Sequence, residues 1–273
     1  GNQTSGGGAT DYAQLLTTIE AQDIATCGWN YTSSTSFVTL SFWVKSSVAQ
    51  TFYGNIMSVD GTQRNFPFSL GSLSANTWTK VIQRIPGNTS PTVDIDNDNG
   101  TGINIDIWPY AGANYTDSGT TVDTWATFVS GTRLPVSTAT WYTTNDATFD
   151  VTGMQLEVGS QATPFEHLSY GEELLLCQRY YEQFTPKLYI LARYSHHDGA
   201  PYGQYHFKVE KRAAPTCSSS GTFVSSSGYA GNPSFSDTLT DSTDIYGANT
   251  VSAGGILYLH DGGSALCKFD SEL

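Results

Sequence analysis

Residues 150–184, DVTGMQLEVGSQATPFEHLSYGEELLLCQRYYEQF, constrain the fold more than any other part of this chain, because their periodicity changes three times. Val151, Met154, Leu156 and Val158 form an alternating segment interrupted at Gly153, which predicts a buried strand with a bulge. GSQATPFEH then reads as a compact turn region, in which Pro164 holds Thr163 extended. Ser169 and Glu172 stand at the S-x-x-E spacing of a capping box, just before the one long helix-like run in the sequence. Leu174, Cys177, Tyr181 and Phe184 fall on one helical face, and Pro186 ends the run. This is a joint, and the sequence on either side of it is β-rich.

Upstream, FVTLSFWV at 37–44 is the clearest strand. Val38, Leu40, Phe42 and Val44 share one face, and Thr39, Ser41 and Trp43 share the other. The first face belongs in a sandwich core; Trp43 on the second has to be covered or has to bind something. Further strands are predicted at 51–53, 65–70, 78–85, 103–107, 125–129 and 141–142, separated by turn signals, which is the spacing of a jelly roll. No fixed repeat occurs, which excludes a β-helix or a propeller. Downstream, KLYILAR and YGQYHFKVE read as neighbouring strands, with Tyr205, Phe207 and Val209 on one side, and ILYLH and LCKF follow. The expected fold is all-β. It has an N-terminal jelly-roll β-sandwich at 1–167, one short connecting α-helix at 168–186 and a smaller β-sandwich at 187–273.

With 273 residues the chain can bury sizeable cores, and 14% charged residues beside many Tyr, Gly, Ser and Thr suit strands and turns. A net charge of −13 argues against nucleic acid, which needs clustered Lys and Arg, and against anionic lipid surfaces. It fits contact with neutral or partly cationic polymers. No run reaches the roughly 20 apolar residues of a membrane helix, so no membrane insertion is expected. GNQTSGGGAT reads as a flexible leader, and a start at Gly1 without Met is expected of a fragment or processed chain.

Motifs for chemistry are sparse. Cys27, Cys177, Cys217 and Cys267 make no C-x-x-C pair, so neither zinc nor redox chemistry is signalled. Asp94, Asp96 and Asp98 alternate in DIDNDNG, but Asn99 holds the EF-hand glycine position and the terminal Glu is missing, so they are only weak metal candidates. His196, His197 and Asp198 share a loop, where two adjacent histidines seldom ligate one metal. No cofactor is expected, and divalent metal is expected to be dispensable. There is no G-x-S-x-G, H-E-x-x-H or P-loop, and Glu172 and Glu173 sit where they complement a helix dipole, so no enzyme is expected.

The joint also carries a resemblance. GMQLEVGSQATPFEHLSYGEELLLCQRYY resembles a segment of tailed-phage virion proteins, tail fibres above all, in which QLE-x-G-x-x-ATPFE precedes YG-x-EL-x-LCQRYY. TTIEAQDI, VTLSFWVKSS, TWTKVIQRIPG and DNGTGINI resemble the same family in the same order, and KVEKRAAPT and KFDSEL do so more thinly. The resemblance implies an edge strand near 12–24, four free cysteines from assembly in a reducing cytoplasm, and location in the virion. It implies a tail fibre or receptor-binding protein attached to host-surface polysaccharide or glycan and to other virion proteins. A head fibre or capsid decoration, or a polysaccharide depolymerase, are the alternatives.

VTLSFWVKSS and its flanking strands further resemble carbohydrate-binding modules, in which aromatic rings stack on sugars. Trp108, Tyr110, Tyr115, Trp125, Trp141 and Tyr142 are candidates, with Tyr110 and Tyr115 preferred because PYAGANYTDSG reads as a Gly-rich loop. In the distal domain Tyr202, Tyr229 and Phe235 are expected on or near exposed loops, contacting glycan or protein. A homotrimer is expected through Leu174, Cys177, Tyr181 and Phe184. With Leu175, Leu176 and Tyr180 added, the helix is apolar around more than half its girth, and the fibre resemblance implies three chains.

Overall fold

The computed structural model describes residues 6–185, 190–194, 201–221, 223–224, 232–246, 257–261 and 265–272. For 190–194, 201–202, 223–224 and 257–261 this covers the backbone alone. The chain divides into two compact units between Glu166 and His167.

In the first unit, the alternation of FVTLSFWV becomes β2 (Phe37–Ser46), whose Val38, Leu40, Phe42 and Val44 are buried. It lies between β5 (Thr79–Pro86) and β8 (Phe149–Val158) in an antiparallel three-stranded sheet. The second sheet runs in the order β1 (Tyr12–Glu20), β6 (Thr101–Ala111), β3 (Gln50–Ser58), β4 (Arg64–Leu73), β7 (Ala126–Thr127). Its inward Ile103, Ile105, Ile107, Phe52, Ile56, Phe66 and Phe68 meet the β2 face in one continuous core. Two antiparallel sheets facing across an apolar layer make the expected sandwich.

Several boundaries differ from the sequence reading. β1 is the expected edge strand, but it turns into a short helix α1 (Ala21–Thr26), because Ala21 and Ile24 drop into the core. Trp141 and Tyr142 lie in a helical turn α2 (Thr140–Thr143), not a strand, and Trp125 precedes a strand of two residues. β3 and β6 are much longer than predicted, since polar residues at every second position continue each strand outward.

β8 carries the predicted bulge. The pairing to β2 slips between Ser41 and Trp43, and Gly153 takes φ +60, where a side chain would be strained. The segment after β8 then folds back across the outer side of its own sheet. Gln155 donates to the Thr163 hydroxyl at 3.3 Å and accepts from the Glu166 amide at 2.8 Å. Glu157 accepts from the Thr163 amide at 3.0 Å and from its hydroxyl at 2.5 Å, which lowers its pKa, the hydroxyl having the largest effect. Thr39 donates to the Gly159 carbonyl and is fully buried. The QLE and ATPFE of the signature are thus a strand and the strap it holds down.

The second unit opens with α3 (Tyr170–Tyr180), entered through the predicted capping box. The Ser169 hydroxyl accepts from the Glu172 amide, and the Glu172 carboxylate accepts from the Ser169 amide at 3.0 Å. The helix stops earlier than predicted, since Tyr181–Phe184 form strand β9. Tyr181 and Phe184 therefore do not continue a helical stripe. Their chain enters a three-stranded sheet of order β12 (Thr216–Ser220), β17 (Leu266–Asp270), β9. A larger sheet runs β13 (Phe223–Val224), β16 (Leu257–Asp261), β10 (Ile190–Tyr194), β11 (Pro201–His206), β15 (Ser242–Tyr246), β14 (Ser234–Ser236).

The early stop of α3 has a cause. Its last four carbonyls are all satisfied, the final three by donors distant in sequence. Cys177 O accepts from the Tyr181 amide, and Gln178 O accepts from Lys211 Nζ. Arg179 O accepts from the Arg212 amide at 3.2 Å, and Tyr180 O from the Ser271 amide at 2.8 Å. The Ser271 hydroxyl reaches the last two as well. KVEKR and KFDSEL, far apart in sequence, together end the helix.

Candidate functional site: the outward face of the five-stranded sheet

While every second residue of β6 enters the core, Asn104, Asp106, Trp108 and Tyr110 point the other way. On β3 the outward residues are Tyr53 and Asn55, and on β4 Asn65 is outward. Instead of meeting solvent, the middle of this face is buried under the segment 112–134. Leu134 is buried against Trp108 and Ala111, with Tyr53 and Tyr115 beside them. The segment is tied down by a parallel bridge between Thr116 and Leu134.

Burying polar groups demands partners, and Asn55 is the hub. Its Nδ2 donates to Asn65 Oδ1 at 2.9 Å and to Asp106 Oδ2 at 3.3 Å, and its Oδ1 accepts from Trp108 Nε1 at 2.8 Å. Asn65 Nδ2 donates to the Arg133 carbonyl at 2.8 Å, and Gln14 Nε2 donates to Asp106 Oδ1. Burial pushes the Asp106 carboxyl above its usual range, against the opposing influence of Gln14, Arg133 and Asn55. The Arg133 guanidinium lies 5.2 Å from the Trp108 ring, 5.0 Å from Phe128 and 5.7 Å from Tyr115. Its buried Nε has no hydrogen-bond partner among the described residues. Tyr12, half exposed, closes the aromatic group, 5.6 Å from Trp108 and 5.3 Å from Tyr115.

Beside this group is a pocket of about 310 Å³, lined chiefly by Asn65, Asp117, Thr120, Thr124, Thr127 and Thr132. Asp117 accepts from the Gly119 amide at 2.6 Å, and the Thr120 hydroxyl donates to the Thr132 carbonyl. The lining is rich in hydroxyls, with one carboxylate and no aromatic ring. It suits a ligand that presents hydroxyl groups, and a single sugar ring matches its scale.

Of the residues proposed from sequence, Tyr115 joins this cluster, half buried, with its hydroxyl donating to the Thr10 carbonyl at 3.3 Å. Tyr110 does not sit on a loop. It is the outward end of β6, buried and stacked on Tyr142 at 4.3 Å, with Gly7 packed so closely that a Cβ there would lie 2.5 Å from the ring. Trp125 is core, donating to the Pro86 carbonyl. Asp94, Asp96 and Asp98 are exposed, Asp98 serving as a turn acceptor for the Gly100 amide. Among the described residues no group of three or more His, Cys, Asp or Glu could hold a metal ion.

In the distal unit, Phe235 is half buried in β14 with its ring edge against Phe269 at 5.8 Å, so it belongs to the core and not to a recognition loop. The backbone of Tyr202 lies within β11, paired to Arg193 and Tyr246. Its side chain, all of Tyr229, and the His196, His197 and Asp198 loop lie outside the described residues. Phe184 packs inward, parallel to Tyr205 at 4.5 Å. Cys177 is exposed, and Leu174, Leu175 and Leu176 are exposed beside it. All four cysteines are free, as expected.

Sequence reasoning missed Asn55, Asn65, Asp106, Arg133 and Asp117. A signal existed for Asn55 in FYGNIM and Asp106 in INIDIW. An amide and a carboxylate among large apolar neighbours mark a strand face with work other than solvation.

The fold and this face define a class, an antiparallel β-sandwich with a roofed, amide-rich and aromatic outer sheet. No family model matches the chain, and no curated protein matches it.

Proposed function

We propose that the chain is a non-enzymatic virion component of a tailed phage, a tail fibre or receptor-binding protein that attaches to host-surface glycan. The pocket of about 310 Å³ lined by Asn65, Asp117 and five threonines is the observation that carries the binding reading. Its hydroxyl-rich lining complements sugar hydroxyls, and Tyr12 offers an exposed ring at the edge of the same face. The QLEVGSQATPFE and YGEELLLCQRYY resemblance supports the virion assignment.

Binding of the purified chain to polysaccharide extracted from host cells tests it. Asp117→Ala is expected to weaken binding by about 1–3 kcal/mol without moving Tm. Wild-type protein that binds no host glycan would end the reading, and release of reducing sugar would move it to a depolymerase.

The exposed Leu174, Leu175 and Leu176 of α3 favour contact with further protein, which supports a homotrimer in a fibre. They equally suit a head fibre or decoration protein docking on a shell. Light scattering is expected to give about three times the 29.5 kDa chain mass. A monomer at micromolar concentration would remove the trimer.

A further inference from the structure

The opposite side of the same sandwich carries an arrangement that the pocket does not use. On the outer face of the β2–β5 pair, Trp43 is paired with Lys80, and the register continues to set Lys45 beside Trp78. The Lys45 ammonium lies 4.9 Å from the centre of the Trp78 ring. Rings and ammonium groups therefore alternate along both strands and across them. Neighbouring positions are about 5 Å apart across strands and about 7 Å along them.

Ile82 and Arg84 extend the pattern on β5, opposite Ser41 and Thr39. Trp43 and Trp78 are each 43% exposed and Ile82 is 54% exposed, which is unusual for large residues on a regular sheet. The strap at 159–166 is held over Thr39 and its Phe165 ring borders Trp43 beside Gly153, while Lys80, Ile82 and Arg84 remain exposed.

Charge is concentrated here too. The sandwich through Glu166 has five cations, Lys45, Arg64, Lys80, Arg84 and Arg133, and three of them are on this face. Lys45 is paired with Asp150 at 3.1 Å. Lys80 and Arg84 form no ion pair among the described residues, and Arg84 rests 4.9 Å from the Phe37 ring. The neighbouring Glu157 is held by Thr163. In a chain of net charge −13, two cations without an ion pair among the described residues flank an exposed aliphatic residue next to two partly exposed indoles, with Glu157 the carboxylate that acts on Lys80.

We propose that this face is a second binding site, which takes a carboxylate-bearing polysaccharide. The apolar faces of its rings would lie on Trp43 and Trp78, and its carboxylates would meet Lys80 and Arg84. A neutral glycan would leave the two cations unused, and a polyanion without rings would leave the indoles unused. The site does not depend on the Asp117 pocket.

The test is calorimetric binding of the whole chain to polygalacturonate, with neutral dextran and polyglutamate as controls. Polygalacturonate alone is expected to bind. Affinity should fall about tenfold in Trp43→Ala and again in the Lys80→Gln, Arg84→Gln double variant, as for anchors of a small interface. It should weaken on raising salt, because exposed ion pairs are screened, and it should be unchanged in Asp117→Ala. If Trp43→Ala lowers Tm, the double variant decides, since both of its side chains are exposed. Equal binding of dextran, equal binding of polyglutamate, or no binding of polygalacturonate would overturn the proposal. So would a change in oligomeric state with Trp43→Ala, which would make the face a protein interface. Loss of polygalacturonate binding in Asp117→Ala alone would also overturn it, leaving the pocket reading standing.

Discussion

The two units solve the same problem with different means. The first buries a broad apolar layer, with Val38, Leu40, Phe42 and Val44 of one sheet against Phe52, Ile56, Phe66, Phe68 and the β6 isoleucines of the other. The described core of the second is a small cluster around Phe269, made of Phe207, Ile245, Ala265 and Cys267, with Phe184, Tyr205, Cys217 and Phe235 at its edge. Next to that cluster lies a fully buried ion pair, Lys211 Nζ to Glu182 Oε2 at 2.9 Å.

The pair is completely supplied with partners. Glu182 also accepts from the Tyr205 hydroxyl at 2.6 Å and the Lys208 amide at 3.2 Å, and Lys211 holds the Gln178 carbonyl at the helix end. Burial works against the charged carboxylate, but Tyr205, Lys211 and the Lys208 amide outweigh it and hold Glu182 below its usual range. The same hydrogen bond, after burial, pushes the Tyr205 hydroxyl up. Burial likewise pushes the Cys267 thiol up to about 12, which keeps it protonated and inert. The contrast teaches that a small β-unit can obtain from one satisfied charge pair the specificity that a larger one obtains from shape.

The sharpest way to break the comparison is Lys211→Ala. It leaves Glu182 charged and buried and the helix end uncapped, and is expected to cost about 3–5 kcal/mol. The loss should fall on the second unit alone, read as one of two transitions in urea with the first unit's midpoint unmoved. A single transition shifted as a whole would show that the units do not unfold separately. The double variant Lys211→Met with Glu182→Leu should recover most of the loss, since no charge then remains buried.

The mirror experiment is Leu40→Ala in the first unit, expected to cost about 2–5 kcal/mol through the cavity it opens between the sheets. Only the first transition should move. Because Leu40 is fully buried in a rigid layer, the upper end of that range is favoured.

A smaller effect, and one of opposite sign in the two units, is expected from pH. Glu182 titrates below its ordinary value of 4.5, so its contribution is present above that value and is lost as pH falls through its folded pKa. Asp106 titrates above its ordinary 3.8, so its contribution is full below that value and is lost as pH rises through its folded pKa. Between neutral pH and pH 3, Glu182→Gln should flatten the decline of the second unit. Asp106→Asn should remove a gain from the first. Parallel pH profiles for wild type and both variants would contradict these assignments.

The smallest effect is expected from Ser169→Ala, about 1 kcal/mol, through loss of the hydroxyl that accepts from the Glu172 amide. Helix content by circular dichroism should drop slightly, and Ser169→Asp should retain it.

Local chemistry was enough for much of this molecule. The alternation in FVTLSFWV, the Gly153 interruption and the S-x-x-E box each name a structure that two to eight neighbouring residues can determine, and each is present. Periodicity separated helix from strand in FVTLSFWV and in the capped helix, but not at Trp141–Tyr142 or Tyr181–Phe184. The sequence by itself therefore determined an all-β chain with one capped helix at its joint.

What only the tertiary structure decided depends on partners distant in sequence. The stripe from Leu174 to Phe184 is helical by spacing, yet the chain leaves the helix after Tyr180. Lys211, Arg212 and Ser271 satisfy the last carbonyls, and β17 offers Tyr181–Phe184 a strand to pair with. Tyr110 stands in a glycine-rich stretch that reads as a loop, but β1 extends its strand by pairing Ala13 with it. The Asn55, Asn65 and Asp106 network joins three strands, and no spacing within one strand encodes which amide will meet which carboxylate. Backbone pattern is a local property of a polymer. Which polar groups are buried together, and which rings stay open to a ligand, depends on how the sheets are laid over one another.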